Sequence, residues 1–305
     1  MRNRYIIPTL AAILVALGCG GSGDAGAVSH GAWQKVTQGV DPNLPLSDVF
    51  VAGKNDVWIS SQTGTLLHKT GTGFHTVTPV AQSSGITRLW GLGPDAIWAV
   101  AGESVLKWDG AAWTSESLAN QGMRDLAGVH GCSATDVWVI DGTQGFAANW
   151  NGSAWTRYLT NQNNLESLWC SAHDDVWVSG PFGLAHFTGT TFQTVDTGSL
   201  EFRGGGFWGS SPHDLWGVGD AIGHWNGKAW SDVSSDIGPG LSDAHGLSSK
   251  NIWAVGGIGS MAHWDGSRWT RTQFDYQLFF NGVHGASDEG FWAVGVNSNI
   301  WHHPP

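Results

Sequence analysis

The sequence predicts an all-β fold, a seven-bladed β-propeller of four-stranded blades closed by an N-terminal strand pairing with the C-terminal blade. Three observations predict it. The 305 residues include 45 Gly and 20 Trp but only 13% charged residues, about half the usual ~25%. Their apolar residues come in short runs broken by Gly, Asp, Asn and Ser, which suits strands and turns rather than long helices. One Trp then recurs as Trp58, Trp98, Trp138, Trp177, Trp216, Trp253 and Trp292, at spacings of 37 to 40 residues. A period near that length, with four strands in each unit, is the pattern of a propeller blade. Finally, the last unit stops at Ile300-Trp301-His302-His303, one strand short, and the missing strand stands at the other end as Gly31-Ala32-Trp33-Gln34-Lys35-Val36.

The first element is an address. Arg2 and Arg4 form a basic start and Tyr5 to Leu17 an apolar stretch, shorter than the ~20 apolar residues of a membrane-spanning helix. Ala16-Leu17-Gly18-Cys19 resembles a bacterial lipobox. The resemblance implies a signal peptide over residues 1–18, a diacylglycerol on the Cys19 thiol, and a flexible tether over 19–30 that begins Gly20-Gly21-Ser22-Gly23. Ordinary secretory cleavage near the same place is the alternative. Gly20, rather than Asp, after Cys19 implies outer-membrane sorting in a cell with two membranes. Loss of Arg2 and Arg4 takes Lys+Arg from 14 to 12 against 25 acids, a net charge of −13. Such a surface excludes nucleic acid as a partner, because that needs basic stripes.

The blades follow over residues 31–305. They span about 44–80, 85–117, 124–160, 164–197, 202–235, 240–275 and 279–303, the last completed by 31–38. Strands A to D of each blade carry one aligned aromatic column apiece. Eight residues before each strand B Trp lies a ring position: Phe50, Trp90, His130, Trp169, Trp208, His245 and His284. After it come Lys69, Trp108, Trp150, Phe187, Trp225, Trp264 and His303, then Phe74, Trp113, Trp155, Phe192, Trp230 and Trp269. Nineteen of the 20 Trp fall in these columns, Trp33 included, so the Trp excess is architectural. Bulky rings filling the wedges between blades are the expected reason.

The repeat resembles the Trp-rich propeller repeat of predicted exported lipoproteins of myxobacteria, Trp-Gly-Ser-Ser-x-x-Asp-Val-Trp-Ala-Val-Gly followed by His-Trp-Asp-Gly-x-x-Trp. Trp208 to Gly219 with His224-Trp225-Asn226-Gly227-Lys228-Ala229-Trp230 carries the match, as does His263 to Trp269. The resemblance implies fold and export but no activity. A looser similarity to Asp-box and tectonin propellers stops at the turn, where Asp109-Gly110 and Asp265-Gly266 are adjacent rather than one residue apart.

Residues that recur in every blade have the same surroundings each time, so structural roles are expected for them. Asp56, Asp136, Asp175, Asp214 and Asn251 read as turn caps before strand B. His68, His186, His224, His263 and His302 lie one per blade and cannot meet at one ion. Blade 3 stands across the channel from blades 6 and 7, so a zinc site of His130, His245 and His284 would need a very narrow channel. No cofactor is implied, and His245 with His284 is the weak candidate pair for a metal. With Cys19 lipidated, Cys132 and Cys170 remain in neighbouring blades, either bonded in an oxidising compartment or left as buried thiols.

Catalytic signatures such as His-Glu-x-x-His, Cys-x-x-Cys and Gly-x-Ser-x-Gly are absent. The candidate ligand-binding residues are therefore those that break the repeat near the channel mouth carrying the D–A and B–C loops. Two residues before the ring stand Asp48, Arg88, Gly128, Ser167, Gly206, Asp243 and Gly282, with Arg88 the one cation of that column. The B–C loops add Glu103, Asp141 and Asp220, and the D–A loops Asn163, Asn164, Tyr276 and Phe279. From this set Asp48, Arg88, Asp243, Glu103, Asp220 and Tyr276 are the expected contacts. The expected function is a lipid-anchored, monomeric envelope scaffold that binds a surface protein or a neutral glycan without chemistry. A carbohydrate-active lyase or hydrolase is the alternative, favoured by carboxylates of shifted pKa at the channel mouth.

Overall fold

In the computed structural model, residues 32–37, 39–78, 84–234, 237 and 240–305 are described. The signal and tether, including Cys19, lie outside the described residues, as does Gly31. Seven four-stranded antiparallel sheets form the blades of a propeller. Their innermost strands A are Leu46–Gly53, Arg88–Gly93, Leu126–Ser133, Ser167–Ala172, Phe207–Ser211, Leu241–Ser248 and Phe280–Ala286.

One register repeats seven times. The ring residue of strand A pairs directly with the strand B Trp: Phe50 with Trp58, Trp90 with Trp98, His130 with Trp138, and onward to His284 with Trp292. Each strand B Trp in turn opposes the residue before the third column, a His in five blades, Lys107 in blade 2 and Asn149 in blade 3. The strand B Trp also leans on the outer strands of the next blade. Trp58 meets Trp108 and Trp113 at 5.3 and 5.6 Å, and Trp216 meets Trp264 and Trp269 at 4.8 and 5.6 Å. Phe fills the same place for Trp138, which packs on Phe187 and Phe192. The ring closes on itself because Trp292 of blade 7 packs on Phe74 of blade 1 at 5.7 Å.

The recurring His and Asp of the repeat serve this packing. His68, His186, His224, His263 and His302 stack on the strand B Trp, at 3.7 Å for His68 and 4.0 Å for His186. Four of them bond the residue two before that Trp: His68 to Asp56, His186 to Asp175, His224 to Asp214 and His263 to Asn251. The expectation of turn caps is corrected here. Asp136, Asp175 and Asp214 accept the indole N–H of Trp138, Trp177 and Trp216, because the polar edge of a buried indole needs an acceptor. The adjacent Asp-Gly is instead the C–D turn cap. Asp265 accepts from the backbone N–H of Ser267 and Arg268, and Gly266 takes the left-handed φ of +92° that the turn requires.

The closing strand pairs as the outer strand of blade 7: Gln34 and Lys35 stand opposite His302 and Trp301, and the Val36 N–H continues the ladder to the Ile300 carbonyl at 2.9 Å. Trp33 stands just ahead of the pairing and is 5% exposed, its ring edge-on to Trp253 of blade 6 at 5.2 Å. A buried indole thus fixes the closing strand more than its few ladder bonds do.

Candidate binding site in the central channel

A cavity of about 540 Å³ runs through the centre, lined by strand A residues of all seven blades. Bulges shape its wall. Strand A skips a residue just before Asp48, Gly128, Asp243 and Gly282, and such a bulge re-aims the side chains after it. The deeper level is the ring of Phe50, three Trp and three His. These side chains lie along the circumference, each against the next blade. A Cβ on Gly131 would stand 2.5 Å from the Trp90 ring, so only Gly fits beside so large a neighbour. Cys170 replaces that Gly in blade 4, where the preceding ring residue is the smaller His130. Cys170 is joined there to Cys132 of blade 3, with their Cα atoms 5.6 Å apart.

His130, His245 and His284 line one cavity, although blade 3 stands across it from blades 6 and 7. Burial, then the charge that His245 would carry, pushes His130 down to about 3. Burial lowers His245 to about 4, with a Gly285 backbone contact opposing. His284 falls well below its ordinary value through burial, His245 and His130. All three are neutral imidazoles near pH 7. The rings of His245 and His284 lie 3.8 Å apart, tilted by 31°. The Nδ1 of His284 accepts the Val51 N–H at 3.2 Å, which leaves its proton on Nε2. Among the described residues these three do not converge as a set of metal ligands.

The level nearer the D–A and B–C loops carries the charges. Asp48 is 6% exposed and accepts the N–H of Val49 on Oδ1 and of Leu89, in blade 2, on Oδ2, both at 2.8 Å. Asp243 of blade 6 accepts the N–H of Val283 in blade 7 at 2.9 Å. Both carboxylates therefore meet at Gly282–Val283, and a Cβ on Gly282 would lie 2.6 Å from Asp48 Oδ1. Burial and then the charge of Asp48 push Asp243 up to about 7. Burial also raises Asp48, opposed by Arg88 and by the two N–H bonds. Arg88 donates to the Thr87 carbonyl at 3.2 Å and makes no ion pair among the described residues.

The structure thus brings Asp48, Arg88 and Asp243 together and separates them from the other expected contacts. Glu103 is exposed and accepts from the Ser117 hydroxyl at 3.0 Å; Asp220 is exposed, and Tyr276 is 69% exposed, all three outside the channel wall. Asp141 organises its own loop. Burial opposes its ionisation, but the N–H groups of Arg124, Thr143 and Gln144 outweigh that and hold it below the usual carboxylate range. Glu166 lines the channel and was not singled out by its sequence. It precedes strand A of blade 4, beside the column that breaks the repeat, which is the signal that could have found it.

The outer rim is uneven. Leu159, Phe182, Ile258, Tyr276 and Phe279 are large apolar residues, 44 to 71% exposed, on or beside the D–A and B–C loops. The opposite face has Leu92 alone among the described residues. Ile258 holds a left-handed φ of +56°, a costly conformation for a β-branched residue.

No family model matches the chain, and no curated protein is similar enough in sequence to count as a relative. Solved structures share the seven-bladed propeller fold. YCF48 from Cyanidioschyzon merolae is 15% identical with a TM-score of 0.71, covering 90% of this chain and 99% of that one. A structure of YCF48 bound to D1 peptide is 16% identical, with a TM-score of 0.70 over 90% of this chain and 97% of that one. Virginiamycin B lyase from Staphylococcus aureus is 11% identical, with a TM-score of 0.73 over 88% and 98%. At these identities the likeness is one of fold.

Proposed function

We propose that this propeller is a non-enzymatic binding scaffold of the cell envelope, tethered by a lipid on Cys19, that holds a protein or a neutral glycan on the face carrying the D–A and B–C loops. The observation that carries the reading is the one-sided rim: among the described residues, five of the six exposed large apolar side chains belong to that face. Exposed apolar groups gathered on one surface mark an interaction site, and Tyr276 and Phe279 offer rings for a side chain or a sugar. The peptide bound to YCF48 supports a protein as the partner. The Trp-rich repeat of exported lipoproteins and the Ala16-Leu17-Gly18-Cys19 motif support the address.

A glycan array combined with a crosslinking pull-down tests the ligand. Capture of one protein by the parent chain, lost on Tyr276→Ala with Phe279→Ala, is expected. Glycan binding without any captured protein would make the scaffold a lectin, and no capture by either route would sink the reading. Cys19→Ser should release the protein from membranes; unchanged partition would reject the tether.

Asp243 favours a second reading, a carbohydrate-active lyase or hydrolase, because a carboxyl held near neutrality can exchange protons. Asp48, Asp243 and Glu166, the channel carboxylates, are already bonded to backbone N–H groups between blades, which is a structural use. Turnover of a glycan that vanishes in Asp243→Asn would establish the enzyme.

A further inference from the structure

Four charged residues line the channel; Glu166 is held by the Gly204 N–H at 2.7 Å, and the other three, Asp48, Arg88 and Asp243, occupy one column. Arg88 is near enough to lower the pKa of Asp48. Yet neither aspartate forms an ion pair among the described residues, and one guanidinium N–H goes to a carbonyl. Backbone bonds hold the charges in place: Asp48 against Val49 and Leu89, Asp243 against Val283. We propose that the channel is a binding site for a small zwitterion, with its primary ammonium against Asp48 and Asp243 and its carboxylate against Arg88.

The chemistry matches from both ends. Each carboxylate oxygen has two lone pairs, and Asp48 has spent one on each oxygen, so acceptors remain for an ammonium with three donors. Arg88 has five N–H donors in a planar fork suited to a carboxylate. A ligand with only one charge fits worse. A lone ammonium would be repelled by Arg88 and a lone carboxylate by the aspartates, and repulsion is strong away from bulk water. Across the channel from this charged arc the same column reads Gly128 and Ser167, small residues that line the cavity beside Glu166. The 540 Å³ volume accommodates a small molecule with water. The inference is independent of the rim, because Tyr276 and Phe279 do not line the channel.

Calorimetric titration of the full chain in detergent tests it, using glycine, β-alanine, 4-aminobutyrate and 6-aminohexanoate up to about 10 mM. The spacing that suits the site should bind, while its N-acetyl form and its amide bind about tenfold weaker or worse, since each leaves a channel charge unmatched. Arg88→Met should abolish the preference for the acid over its amide while leaving the N-acetyl penalty. If Arg88→Met fails to fold, the analogue comparison on the parent chain decides alone. Equal binding of blocked and free forms overturns the proposal. So does the absence of heat from every member with a chain that still melts cooperatively, which would mean the channel charges are bridged by water.

Discussion

His130, His245 and Asp243 face one channel and pull stability in opposite directions with pH. Burial holds His130 near 3 and His245 near 4, against about 6.5 in an unfolded chain. As pH falls below about 6.5 the unfolded chain takes up protons that the folded one refuses, so stability falls with it. Asp243 is pushed up to about 7, against about 3.9 unfolded. It keeps a proton that the unfolded chain loses between those values, so its contribution falls as pH rises through the same window. Asp48, raised by burial, acts in the same sense as Asp243, but three histidines, His284 included, outnumber the two. Urea unfolding from pH 7 to 4.5 should therefore show stability falling on acidification, by about 1.4 kcal/mol per pH unit for each unmatched proton. Asp243→Asn removes one opposing group and should steepen the fall; parallel curves for parent and variant would contradict these assignments. Little of this was legible beforehand. The column of Asp48, Arg88 and Asp243 breaks the repeat and so could be singled out, but the meeting of Asp48 and Asp243 at Gly282 depends on ring closure, which brings blades 6, 7 and 1 together. Whether His130 shares the channel with His245 was legible only as a question of channel width, because blade 3 stands across the channel from blade 6.

At the scale of the strand, the repeat was legible because one register governs seven blades. Each aromatic column in the sequence is a row of directly opposed pairs, such as Trp108 with Trp113 and Trp264 with Trp269. The closing strand was legible in place. Its described ladder runs over Gln34, Lys35 and Val36, while Trp33 supplies the buried surface. Trp33→Ala should accordingly cost about 3 kcal/mol or more, whereas Gln34→Ala, at an exposed position, should stay within about 0.5 kcal/mol. Denaturant unfolding of the two variants compares them directly. Equal, small losses would mean that closure rests elsewhere, for instance on the contact of Trp292 with Phe74.

The whole molecule is a ring whose repeated residues are spent on packing, so recognition falls to what differs between its two faces. The loops between strands D and A and between B and C carry Leu159, Phe182, Ile258, Tyr276 and Phe279; the other face carries Leu92. That asymmetry was invisible in composition, because single apolar residues in turns stand out only once the turns are sorted by face. Ile258 could be noticed only through its backbone, since Asn297 takes the equivalent left-handed position in blade 7. The most direct measurement is site-specific photocrosslinking in cells that express the chain, with the photoreactive group placed in turn at Tyr276, Phe182 and Leu92. One common partner captured from Tyr276 and Phe182, with none from Leu92, is the predicted result. Capture from Leu92 alone, or the same partner from all three positions, would contradict a recognition face formed by the D–A and B–C loops.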